Sequence, residues 1–285
     1  MTSLGFLLVL TAALCHATWN FCVKRINAGA ELVWLFSLIF VVLYCPVAIY
    51  FALGVEQLPP EAMLFIVGST LLHLGYFLLL QTGYRAGDLS IVYPTARATG
   101  PLLSGMFAVL LLGEAFTIRI ALGGFIIIGG VLMLTGGFRK GSRAQSRSLL
   151  FGIAAGTLIG SYTVWDAHAV ATLMIPPLLL DYASSIGRVG LLAPVAWRKR
   201  NAVRILWTEH KARIMIIAVF NPLAYILALV AMTFTPVIYV APIREMSVVF
   251  SVLAGSLLLG EGDVRHRLLW SVIILAGVAI LATGG

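Results

Sequence analysis

Two arginines stand where the chain is otherwise apolar, and they stand in the same place twice. Residues 93–114 read YPTARATGPLLSGMFAVLLLGE and residues 240–261 read VAPIREMSVVFSVLAGSLLLGE. At a constant offset Arg97 lies under Arg244, Ser104 under Ser251, and Leu-Gly-Glu under Leu-Gly-Glu at Glu114 and Glu261. A guanidinium is a planar fork of donors that matches a carboxylate, phosphonate or phosphate. The pair therefore reads as two cationic anchors for an anionic group. The alternative is structural: each arginine is neutralised by Asp166, Asp181 or Glu245 and locks helices together.

Polar and aromatic residues recur one helical turn apart in other apolar stretches. His16, Trp19 and Asn20 share a helix face, as do Tyr162, Trp165 and Asp166, and His73, Tyr76 and Phe77. Tyr93 with Arg97 and Asn221 with Tyr225 have the i, i+4 spacing. Such stripes suit a cavity with aromatic walls and a few orienting polar groups. They also suit interhelical hydrogen bonds and interfacial anchoring of Trp and Tyr. His73 and Asn221 lie nearest the centres of their stretches. Asp166 and Glu245 are the candidates for a proton-carrying carboxylate, because acids inside a membrane mark proton relays. Glu245 follows Arg244 directly and is alternatively its counter-ion. Asp181 and Arg188 lie about two turns apart and are expected to pair with other helices and shape the bundle.

The elements that must hold these groups follow from composition. The chain has 285 residues, of which 61% are hydrophobic and 11% charged, and its mean hydropathy is +1.03. Soluble domains carry about 25% charged residues, so the solvent is lipid. A spanning helix needs about 20 apolar residues. Stretches of that kind lie at roughly 4–23, 32–53, 62–83, 89–112, 119–137, 149–170, 174–196, 213–233, 236–259 and 267–284. Since lipid tolerates no open sheet edge, all are read as helices. The N-terminus lacks a basic n-region and a cleavage site, so 4–23 reads as a retained span. Cys15, Cys22 and Cys45 lie inside apolar runs without metal-ligand spacing and read as packing residues. The pI near 9.7 reflects basic connections, not nucleic-acid binding.

The repeat covers the whole chain, as Trp19-Asn20 matches Trp165-Asp166 and Pro46-Val47-Ala48 matches Pro194-Val195-Ala196. Five spans per unit force the second unit in upside down, the inverted architecture of transporters with a site near the midplane. Of the nineteen Lys and Arg, three lie within spans and Arg119 lies alone on one side. All others lie on the opposite side, which the positive-inside rule makes cytoplasmic. Both termini are then outside. Pro94, Pro101, Pro222 and Pro242 permit bends. Gly129, Gly130, Gly152, Gly156 and Gly160 permit close helix approach. Gly113 and Gly260 suit helix ends, and the glutamates after them belong at the interface, outside the substrate path.

The chain carries no P-loop, HExxH, Cys/His cluster or GxSxG, so neither enzyme chemistry nor ATP-driven transport is expected, and no cofactor or metal. The ten-span layout, the Trp-Asn and Trp-Asp of spans 1 and 6, the Tyr-Pro-x-x-Arg of span 4 and the doubled Leu-Gly-Glu resemble the EamA branch of the drug/metabolite transporter superfamily. The resemblance implies an all-α protein of two inverted five-helix repeats, at 1–138 and 149–285, joined by a basic linker at 139–148. It implies a secondary carrier of the bacterial inner membrane working by alternating access, with a cavity lined by spans 1, 3, 4, 6, 8 and 9. In the second repeat Pro242-Ile243-Arg244 departs from the Tyr-Pro-x-x-Arg spacing.

The expected substrate is a small polar metabolite, anionic or zwitterionic, such as an amino acid or phosphonate. Arg97 would bind its anionic group with help from Arg244. Tyr76, Tyr93, Trp165 and Tyr225 would pack the remainder, and Asp166 or Glu245 would sense a proton or an amine. Trp19, Asn20, His73, Tyr162 and Asn221 complete the expected lining. Protons are the expected coupling ion and a monomer the expected unit. An exporter of cationic or aromatic compounds and a lipid-carrier flippase remain alternatives.

Overall fold

The computed structural model describes residues 1–26, 28–86, 89–134, 143–259 and 264–282. Among them the chain is all helix, with no strand. The first repeat supplies α1 (Ser3–Ile26), α2 (Ala30–Leu53), α3 (Ala62–Ala86), α4 (Leu89–Leu112) and α5 (Ile118–Leu134). The second supplies α6 (Arg143–Ala171), α7 (Pro177–Arg198), α8 (Arg200–Met232), α9 (Val237–Arg244), α10 (Met246–Leu259) and α11 (Val264–Ala282). Among the described residues, seven helices have the length and apolar character to cross a membrane, and Ile118–Met133 and Leu268–Ile280 are shorter apolar helices. The ninth span is α9 and α10 together.

Helix pairing makes the duplication visible in space. α1 packs along α8 as α6 packs along α3, and α4 packs along α6 as α10 packs along α1. α2 meets α7 and α5 meets α11, so exchanging the repeats leaves the set of pairs unchanged. The α4–α6 seam is close because α6 presents glycine every fourth residue. A Cβ on Gly152, Gly156 or Gly160 would lie 2.6, 2.5 or 2.9 Å from Thr95, Thr99 or Leu103. Gly130 plays this part against Ile274 on α11, whereas Gly129 faces open space. The outside of the bundle is apolar, with Leu110, Leu111, Ile118, Phe125 and Leu150 all exposed, as lipid requires and water does not favour.

Three boundaries differ from the sequence expectation. The basic stretch before span 8 is no loop: α8 runs from Arg200, with one non-helical residue at His210. α6 starts at Arg143, inside the basic connection. Span 9 is broken at Glu245, whose φ of −68° and ψ of −9° tighten the chain. Pro242 sits three residues before the break, where it has no N–H for the helix ladder. Glu245 N–H instead donates to the Pro242 carbonyl and Val248 N–H to the Glu245 carbonyl. α4 ends as expected, with Gly113 at φ +69°.

Candidate functional site

A cavity of about 50 Å³ lies in the middle of the bundle. α1 lines it with His16 and Trp19, α3 with His73, Tyr76 and Phe77, α4 with Arg97, and α6 with Tyr162. α7 adds Asp181 and Arg188, α8 adds Asn221 and Tyr225, and α9 adds Arg244. A smaller void bounded by His16, Arg97, Arg244 and Ser247 adjoins these residues. The contribution of α7 is the departure from the expected set of spans.

Behind the aromatic wall sits Asp166, which is 0% exposed. Three donors converge on its Oδ2: Ser69 Oγ at 3.1 Å, His73 Nε2 at 3.0 Å and the Tyr225 hydroxyl. His73 stacks on Tyr162 at 3.9 Å between ring centroids and meets Tyr225 edge-on. These contacts fix the rings that face the cavity, and Asp166 itself does not line the space.

The two repeat-equivalent arginines have different partners. Arg97 donates to Ser247 Oγ at 2.8 Å and its Nε lies 3.3 Å from Glu245 Oε2. Both partners belong to the second repeat. Glu245 therefore serves the arginine of the other repeat, although it follows Arg244 in sequence. Among the described residues Arg244 makes no ion pair; its guanidinium lies 5.6 Å from the centroid of the Tyr225 ring. Among the described residues Asp181 and Arg188 make no ion pair with another helix, contrary to expectation, but pair with each other, Nη2 to Oδ1 at 3.1 Å, with Ser185 as a further acceptor.

Of the other expected site residues, Trp19, His73, Tyr76, Tyr162, Asn221 and Tyr225 all face the cavity. Trp165 does not. Its Nε1 donates to the Phe65 carbonyl at 3.0 Å, its ring stacks on Phe65, and Gly68 leaves the space for it. Asn20 is half-buried and not part of the lining. The side chain of Tyr93 lies outside the described residues, as do Gly260 and Glu261. Ser69 and Ser247 were not anticipated. Ser69 was discoverable one turn before His73 on the same face, and Ser247 as the position where the second repeat replaces Gly100.

The sequence matches the EamA-like transporter family twice, over residues 3–136 and again over 146–283. The chain belongs to that family of integral membrane transporters. Twenty-nine solved chains match in structure. One of them, a crystal structure, superposes with a TM-score of 0.82 at 16% identity, covering 99% of this chain and 97% of its own. At that identity the likeness shows the ten-span fold alone. No curated protein sequence matches the chain.

Proposed function

We propose that this chain is a secondary transporter of small polar organic solutes bearing an acidic group, working by alternating access in a bacterial inner membrane with both termini outside. The observation that supports it is Arg244. A guanidinium in a membrane is costly unless something compensates it, and Arg244 lines the cavity against an aromatic face, with no carboxylate in ion-pair contact among the described residues. A carboxylate or phosphonate brings the missing charge in the geometry the fork prefers. The anchor thus moves from Arg97, which already holds Glu245 and Ser247, to its repeat equivalent. Tyr76, Tyr162, Tyr225 and Trp19 pack the remainder of the solute. Proton coupling is assigned to Asp166, because its partners are the neutral Ser69 and Tyr225 hydroxyls and the titratable ring of His73, whereas Glu245 faces the permanent charge of Arg97.

The test is counterflow in proteoliposomes, comparing matched anionic, zwitterionic and cationic solutes in the wild type and in Arg244→Gln. Uptake of acids that collapses in the variant is the expected result. Uptake of cations alone, indifferent to Arg244→Gln, would make the exporter of cationic compounds the better reading.

A further inference from the structure

The unfilled hydrogen-bonding capacity of the cavity indicates the charge type of its ligand. Asp181 on α7 lines the cavity and is 4% exposed. Its Oδ1 is held by Arg188, but its Oδ2 is buried without a hydrogen-bond partner among the described residues. A buried carboxylate oxygen left in that state is unfavourable, and each such atom in a native fold calls for an explanation. On α1, the Nε1 of Trp19 is a buried donor in the same condition. On α9, Arg244 has no ion pair among the described residues. The lining therefore presents an unfilled acceptor on α7, beside the equally unpartnered Nε of Arg188, and unfilled donors on α1 and α9.

Charge balance gives a second, independent argument. Arg97, Arg188 and Arg244 lie in this region together with Glu245, Asp181 and Asp166, three cations against three anions with the histidines counted as neutral. A simple anion pairs with Arg244 locally but leaves the region as a whole with one negative charge in excess, and uncompensated buried charge is strongly unfavourable. A zwitterion brings one charge of each sign and leaves the balance as it was.

We propose that the cavity takes a zwitterion, its acid group on Arg244 and its ammonium on Asp181 Oδ2. The ammonium subsite refines the acid-anchor reading above and rests on it. A primary ammonium fits because one carboxylate can serve two cations, with Arg188 on Oδ1 and the ligand on Oδ2.

The experiment uses two matched sets of probes on the full chain. One set is alanine, propionate and ethylamine; the other is phenylalanine, 3-phenylpropionate and phenethylamine. Apparent affinity is read from ligand-induced thermal stabilisation of the purified protein, and transport from counterflow of the radiolabelled probe. In at least one set the amino acid is expected to bind tenfold or more tightly than the acid lacking the amine. Asp181→Asn reduces that preference at least tenfold, while Arg244→Gln weakens amino acid and acid alike. Asp181→Asn strands Arg188, so Asp181→Asn with Arg188→Gln, which removes both charges, must lose the preference too. Acids that bind as tightly as their amino acids, or a preference unchanged in the double variant, would overturn the ammonium subsite and leave the Arg244 anchor standing. Amines binding alone, or no probe binding, would overturn both.

Discussion

Arg97 and Arg244 descend from one position of a duplicated segment, yet the first sits in an unbroken helix among partners and the second at a break beside a cavity. The reason lies in the residues around them. At the repeat offset, Glu245 and Ser247 correspond to Ala98 and Gly100. Glu245 and Ser247 are the two groups that hold Arg97. The mirror-image partners of Arg244 would be Ala98 and Gly100, which carry no polar side chain. Duplication supplied two half-buried cations, and divergence at two neighbouring positions neutralised one of them. The first repeat uses its arginine to tie the halves together; the second leaves its arginine without an ion pair among the described residues, which is what the proposed acid anchor rests on.

The largest effect expected from this comparison is on stability. Arg97→Ala leaves Glu245 as a buried carboxylate without its cation, and breaking a buried pair from one side costs about 3–5 kcal/mol. Thermal melting of the detergent-solubilised protein should fall steeply and recover in part when Glu245→Gln is added. Arg244→Gln should do the reverse, melting near the wild type while losing roughly 30- to 150-fold in affinity for acid-bearing solutes, the loss of about 2–3 kcal/mol expected for one charge-assisted interaction. Equal melting losses in the two variants would remove the distinction between the arginines.

A sharper test rebuilds the missing partner. Ala98 is buried and stands where Glu245 stands in the other repeat, so Ala98→Glu should place a carboxylate against Arg244. The expected outcome is a folded protein whose affinity for acids falls about tenfold or more, short of the full loss in Arg244→Gln because the new pair still competes with solute. If Ala98→Glu binds acids as the wild type does, the pseudo-symmetric pairing is wrong.

These differences explain how much was legible beforehand. Helix number, the inverted repeat and the membrane setting follow from periodicity and from an odd number of spans per unit. His73, Asn221 and both arginines were legible as polar groups inside apolar spans. The pairing was not. Neighbours in a helix point about 100° apart, so Glu245 turns to Arg97 while Arg244 turns to the cavity, and adjacency in sequence suggested the opposite. Trp165 was misleading for a related reason. Its spacing matches Asp166 and Tyr162, but Gly68 opens a slot for the indole on α3, and a glycine facing a tryptophan across two helices leaves no mark in local spacing. Asp181 and Arg188 share one helix, so their pairing was within reach; their place on the cavity wall depends on how α7 packs against α3 and could not be read from α7 alone.

The smallest expected effect concerns the Leu-Gly-Glu motif, the part of the duplicated segment with no place in the cavity. Glu114 lies just beyond α4, turned by Gly113 at φ +69°. Its Oε1 and Oε2 accept the N–H groups of Val237 and Ile238 at 2.7 and 2.9 Å. Those are the first two residues of α9, whose N-cap is Pro236 with no side-chain cap of its own. A carboxylate satisfies orphan donors there and faces the positive end of the helix dipole. The motif of one repeat therefore caps the broken helix of the other, and fixes the segment that ends in Arg244. Glu114→Ala should cost about 0.5–2 kcal/mol, the usual range for a lost cap. Glu114→Gln should cost less, since its amide oxygen can still accept one N–H. Because α9 carries Arg244 at its far end, both variants should also weaken acid binding by a few-fold, with Glu114→Ala the larger. Binding unchanged at the full stability loss would show that the cap holds the fold without positioning the arginine.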